Sequence, residues 1–235
     1  MEYSIILGIC ILTIIVVKFA FNVQIKDIKK IKEIGYDKSL NEITNQFPEN
    51  KEVCETILKQ LGNDTVMIET SDDKNNQLSY YSILTNHIII ADIKDTFTRI
   101  QTIAHECTHS VQNKTTLIFN FVFSNIYLLY FGVICLLTVF KIIKEPILWT
   151  VILIVFSFIY YAIRSYLETD AMTKAPYVAK QYMTNSNQIS NEEMDKVMKH
   201  YTELNQIGIP MTNFQLMMSV MIKIIIYCII VVIMS

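Results

Sequence analysis

His105-Glu106-Cys107-Thr108-His109 has the form HExxH. On a helix the four-residue spacing stacks the two imidazoles on one face, where they can share a metal ion, with Glu106 beside them. A zinc peptidase needs two neutral imidazoles and a third ligand around the ion, an open position for water, and a carboxylate that accepts the water's proton. His105 and His109 are therefore candidate ligands and Glu106 the candidate general base. Ile100, Ile103 and Ala104 before the motif and Val111 after it supply the apolar stripe of a core-facing helix. That helix is expected over about Ile93 to Gln112, with Asp92 and Asp95 as candidate N-caps. Cys107 should point away from the histidine face and serve packing rather than coordination.

Upstream, Thr65-Val-Met-Ile-Glu-Thr70, Gln77 to Leu84 and His87-Ile-Ile-Ile-Ala91 read as strands, separated by polar residues 71–76 and by Thr85-Asn86. They predict a small antiparallel sheet leading into the motif helix, with an edge able to hold an extended peptide by main-chain hydrogen bonds. His87 is a candidate substrate contact near that edge; the simpler alternative is a surface histidine at a turn. Two short helical patterns come earlier, Ser39 to Phe47 ended by Pro48 and Glu49 to Leu61 stopped by Gly62.

The 235-residue chain is 52% hydrophobic, high for a soluble protein. The excess lies in four runs, about Ile5 to Val23, Leu117 to Phe140, Ile147 to Ile163 and Phe214 to Met234, each near the length that crosses a bilayer. Four transmembrane helices are expected. The first lacks a basic n-region, since Glu2 precedes it, and no A-x-A-like site comes after it, so it is expected to stay as an anchor. The resulting plan is a span over 1–23, a soluble α+β domain with the motif over 24–115, a hairpin of two spans over 116–165, a soluble helical segment over 166–212, and a last span over 213–235. Ile25, Ile28, Ile31 and Ile34 recur at helical spacing among lysines, the pattern of an amphipathic helix at a membrane surface. Lys26, Lys29, Lys30 and Lys32 lie close to the first span, and the positive-inside rule places residues 24–115 in the cytoplasm, with Lys141 and Lys144 of the hairpin turn acting against it.

An even number of crossings returns Arg164 and the residues after it to the side that holds the motif. Glu168, at the end of a long apolar run, is the candidate third ligand, and Asp170 the candidate carboxylate that orients a ligating histidine. Residues 175–207 read as soluble helices, with Asn191-Glu-Glu starting one and Gly208-Ile-Pro210 ending it. His200 and Tyr201 there are candidate donors to the oxyanion of a tetrahedral intermediate. Lys223, half-way along the last span, needs a partner such as Asn120 or Asn125, or else snorkels to the surface.

Composition excludes other classes. A net charge of −2 leaves no basic footprint for nucleic acid. The five cysteines form neither a CxxC pair nor a disulfide framework, in keeping with reduced thiols.

The segment His105-Glu-Cys-Thr-His-Ser-Val-Gln112 resembles the HExGHAxQ signature of the bacterial YugP-like membrane zinc peptidases, and Glu168-Thr-Asp-Ala171 resembles their E-x-D-A segment after a transmembrane hairpin. More distantly the pattern is similar to the HtpX and CAAX prenyl protease group. The resemblance implies a gluzincin arrangement, in which His105, His109 and Glu168 bind one zinc ion and Glu106 is the catalytic base. Thr108 stands where that family has glycine, Ser110 where it has alanine and Met172 where it has a small serine, and a β-branched Thr108 implies a slightly wider helix contact.

The expected protein is thus an α-helical multi-pass membrane protein with four transmembrane helices and a small α+β gluzincin-like metallopeptidase domain. Its expected activity is zinc-dependent hydrolysis of a peptide or protein substrate, membrane-proximal in one version, at the cytoplasmic face of the cell membrane. The alternative is a zinc-binding membrane sensor or regulatory protein without catalysis, favoured by a closed four-ligand site. Oligomeric state has no signal in the sequence.

Overall fold

The computed structural model describes residues 2–71, 78–93 and 96–234 and is 76% helical. Its elements run α1 (Glu2–Ala20), α2 (Ile25–Gly35), α3 (Lys38–Thr44), α4 (Asn50–Gln60), β1 (Met67–Thr70), β2 (Tyr80–Ser82), β3 (His87–Ile90), α5 (Arg99–Val111), α6 (Lys114–Val139), α7 (Pro146–Ser186) and α8 (Asn191–Met234). Three of them, α6, α7 and α8, are long and apolar enough to cross a membrane. In α1 the apolar stretch Ile5–Ala20 is shorter. The long helices turn large apolar side chains outward, Leu129 at 68% and Leu136 at 60% exposure, as a helix does when its surroundings are hydrocarbon.

The chain divides into two compact units. The first comprises Met1–Val23, Ile118–Tyr166 and Pro210–Ser235. Its core gathers Tyr127, Ile134, Leu153, Val220, Ile224 and Tyr227. Lys223 does not meet Asn120 or Asn125 in the way its sequence position suggests. Its ammonium donates to Ser219 O and Ser219 Oγ at 3.3 and 3.1 Å and stands 5.5 Å from the centre of the Tyr127 ring. Ser219 lies one turn back on the same helix face and supplies both acceptors.

The second unit comprises Gln24–Leu117 and Leu167–Ile209. Its core is built from the inner faces of α3, α4, α5 and the second half of α7, with Leu40, Val53, Ile57, Ile100, Ile103 and Ala179 all fully buried. Asp37 caps α3 by accepting from Ser39 N and Leu40 N, and Gly62, at φ +70°, closes the end of α4 where a side chain would be strained.

Three expectations change at this level. The sheet is mixed, not antiparallel: the order is β1-β3-β2, with β1 parallel to β3 and β2 antiparallel to it. Asn86 explains the arrangement, because at φ 48° it closes the β2–β3 hairpin while its Nδ2 donates to Thr65 O and its own carbonyl accepts from Met67 N, docking the start of β1 against the hairpin turn. The motif helix starts at Arg99, six residues later than expected, after Thr98 and not after Asp92, which sits in a bend. Asp95 lies outside the described residues. The peptide at Phe97 is pulled into other bonds, its N–H to Asn41 Oδ1 at 2.6 Å and its carbonyl to Tyr201 Oη at 2.9 Å, so it cannot serve a helical ladder. Finally, Gly208-Ile209-Pro210 ends no helix: α8 runs unbroken from Asn191, where Ser190 and Glu193 exchange a capping box, to Met234. Long helix-forming runs on both sides outweigh the one ladder bond that Pro210 removes.

Candidate metal centre

Most of helix α5 is buried, its polar Arg99, Glu106, Thr108, His109 and Ser110 along with the apolar Ile100, Ile103 and Ala104. Arg99 secures its first turn. The guanidinium is fully buried and donates to Asn50 Oδ1 and to the carbonyls of Thr44, Phe47 and Pro48, at 2.8 to 3.1 Å, so it caps the end of α3 and clamps the α3–α4 turn onto α5. On the far side Cys107 Sγ lies 3.5 Å from Cys54 Sγ on α4, both fully buried as free thiols. Burial, then the neighbouring Cys54, pushes the Cys107 thiol well up, which suits packing and not metal ligation.

On the histidine face His105 Nε2 and His109 Nε2 are 3.1 Å apart, with ring planes 87° to one another. Glu168 Oε2, from α7, stands 3.5 Å from the first and 3.8 Å from the second. Ligand atoms held about 2.0–2.2 Å from one tetrahedral ion are separated from each other by roughly 3.3–3.6 Å. The observed separations fall around that range. His105, His109 and Glu168 can therefore hold a metal ion, two nitrogens and one carboxylate oxygen converging from one side.

Glu106 is the next carboxylate in this cluster, with Oε1 4.0 Å from His105 Nε2. Burial raises its pKa above the usual carboxylate range, and the charge of Glu168 adds to that, while the two histidines and a hydrogen bond from the Tyr81 backbone N–H pull the other way. β2, an edge of the sheet, packs beside the motif helix.

Asp170 reaches a histidine, but through an intermediary that its own position did not announce. Gln112 Oε1 lies 2.8 Å from His109 Nδ1, while Gln112 Nε2 donates to Leu167 O and to Asp170 Oδ2, each at 2.9 Å. With both amide protons used, the amide oxygen must face His109, so Nδ1 carries the ring proton and the Nε2 lone pair is left for a metal. His109 is held above the ordinary imidazole range: burial alone would lower it, and the hydrogen bond and charge of Glu168, with Glu106 and Gln112, outweigh burial. Asp170 is anchored in turn by Lys174 at 2.7 Å, one turn on. Its burial would raise it, yet the bonds from Lys174 and Gln112 keep it below the usual carboxylate range. The signal for Gln112 in the sequence was its position three residues after His109, which the structure makes the C-cap of α5.

The remaining candidates have other partners. Tyr201 is fully buried, its hydroxyl proton spent on Phe97 O and its ring stacked on Phe97 at 5.6 Å, so it is a core residue and not an oxyanion donor. His200 is turned to its own helix, Nδ1 2.9 Å from Lys196 O, and meets Phe97 edge-on. His87 lies 3.6 Å from Glu69 across β1 and β3 and lines a surface hollow with Lys51, Glu55, Lys59 and Asp64. Thr108, the expected source of a wider helix contact, folds its hydroxyl back onto Ala104 O at 2.7 Å within α5.

No family model, curated protein or solved structure matches this chain.

Proposed function

We propose that this chain is a membrane-integral zinc endopeptidase. The observation that carries the reading is the joining of His105, His109 and Glu168 into one potential ligand set with a buried, proton-seeking carboxylate, Glu106, at its side. Two imidazoles with one carboxylate leave a position open, the donor set of catalytic rather than structural zinc. Zinc, when bound, supplies a Lewis acid that polarises the scissile carbonyl and brings the pKa of a water towards about 7. The chain's residues do the rest. Glu106 takes the proton of the attacking water and passes it to the leaving amine, with a pKa raised towards the working range. Gln112 and Asp170 keep the His109 ring in its ligating tautomer. The edge strand β2 offers main-chain groups to an extended peptide.

In this reading α1 joins α6, the first half of α7 and the second half of α8 as a fourth span, and Lys26, Lys29, Lys30 and Lys32 set the catalytic unit on the cytoplasmic side. The substrate is then an extended peptide segment close to the membrane. The resemblance of His105–Gln112 and Glu168–Ala171 to the YugP-like peptidases supports the same assignment. Glu106→Gln should keep zinc and lose peptide hydrolysis; turnover retained in that variant sinks the mechanism.

A further inference from the structure

Pro176 lies inside α7 and has no N–H to return to the carbonyl four residues back, so Met172 is left without its helical partner. Asn205, on α8, takes that place. Its Nδ2 donates to Met172 O at 2.6 Å, and its Oδ1 accepts from Gln101 Nε2, on α5, at 2.8 Å. Gln101 is one turn before His105, and Met172 is one turn after Glu168, so each tether point shares a helix face with a member of the cluster. Gly208, three residues after Asn205, also faces Met172: a Cβ there would stand 3.1 Å from Met172 Cε, the movable end of that side chain. On the other side of the cluster Gln112 joins α5 to α7 through Leu167 O and Asp170. The two ligand-bearing helices are thus bridged by carboxamides on both flanks of the His–Glu cluster.

We propose that Asn205 is a positioning residue for the metal centre, using the carbonyl that Pro176 sets free to hold α7 at the distance from α5 at which Glu168 meets His105 and His109. A backbone carbonyl is fixed to its helix axis, so a bond to it constrains the helix itself and not a rotamer. With no ladder N–H to share it, the freed carbonyl turns to Asn205 without competition from its own helix. This inference rests on the reading of the cluster as a metal site.

The test compares full-length wild type, Asn205→Leu, the near-isosteric Asn205→Asp, Pro176→Ala, and Pro176→Ala with Asn205→Leu, in detergent micelles. Zinc affinity is measured by chelator competition and site geometry by the visible spectrum of the cobalt-substituted protein. Both Asn205 variants should bind zinc about 10–100-fold more weakly and shift the cobalt bands. In the Pro176→Ala background the restored N–H at position 176 competes with Asn205 for Met172 O and gives that carbonyl a partner of its own, so Asn205→Leu should cost less there. Should Asn205→Leu fail to fold, Asn205→Asp carries the comparison. Zinc-binding wild type with unchanged affinity and spectrum in the Asn205 variants overturns this proposal alone, as does an equal loss in both backgrounds. A wild type that takes up no zinc overturns the metal reading and this proposal with it.

Discussion

His109 Nδ1 and Gln112 Oε1 stand 2.8 Å apart, and that contact decides which imidazole nitrogen is free for a metal. Gln112 cannot turn its amide over without losing Leu167 O and Asp170 Oδ2 together. Gln112→Leu should therefore weaken zinc binding by about 10–100-fold while leaving the fold in place. Chelator competition reads the affinity, and wild-type affinity in this variant would show that the ring's orientation is set elsewhere.

Proton uptake should oppose metal uptake. In the metal-free protein His109 is held above the ordinary imidazole range, and Glu106, chiefly through burial, above the usual carboxylate range. Groups raised on folding stabilise the native state below their unfolded values and lose that contribution as pH rises through the folded ones. Zinc needs the unprotonated ring, so its stabilisation grows as that proton leaves. The difference in melting temperature between zinc-loaded and chelated protein should widen between about pH 6 and about pH 8. A difference that is flat or shrinks with pH contradicts this.

Arg99 holds the base of the site without touching it. Arg99→Met leaves Asn50 and the carbonyls of Thr44, Phe47 and Pro48 buried without their donor, and should cost about 3 kcal/mol or more. Denaturant unfolding reads the loss. A change below about 1 kcal/mol would mean water replaces the guanidinium.

Cys107 belongs to the packing of α5 on α4, not to the metal. Cys107→Ala should keep zinc stoichiometry, and in the native wild type both Cys54 and Cys107 should resist a maleimide that labels them on unfolding. Zinc lost with Cys107→Ala, at intact fold, would make the thiol a ligand after all.

The features legible in the sequence are those encoded locally. HExxH spacing put His105 and His109 on one face with Glu106 beside them, and apolar run length marked α6, α7 and α8 as long membrane-type helices. Glu168 came from counting crossings, and it does meet the histidines. The features that were not legible depend on partners far away in the chain. The start of α5 is decided by Asn41 and Tyr201, which claim the Phe97 peptide. The parallel pairing of β1 with β3 depends on Asn86 reaching Thr65, which strand periodicity does not record. Gly208-Ile209-Pro210 reads as a helix end but lies within α8, and Pro176 lies within α7, where the carbonyl it frees finds Asn205. The burial of Arg99 has no signal in the sequence because its acceptors are mostly backbone carbonyls, invisible in a pattern of side chains.

The joining of the two halves of the site is the central claim, and metal analysis of purified wild type beside Glu168→Ala tests it most directly. Wild type should carry about one zinc per chain, and Glu168→Ala, with its fold intact, should retain little or none after dialysis. A wild type without metal, or a Glu168→Ala variant that holds zinc as tightly as wild type, would contradict it.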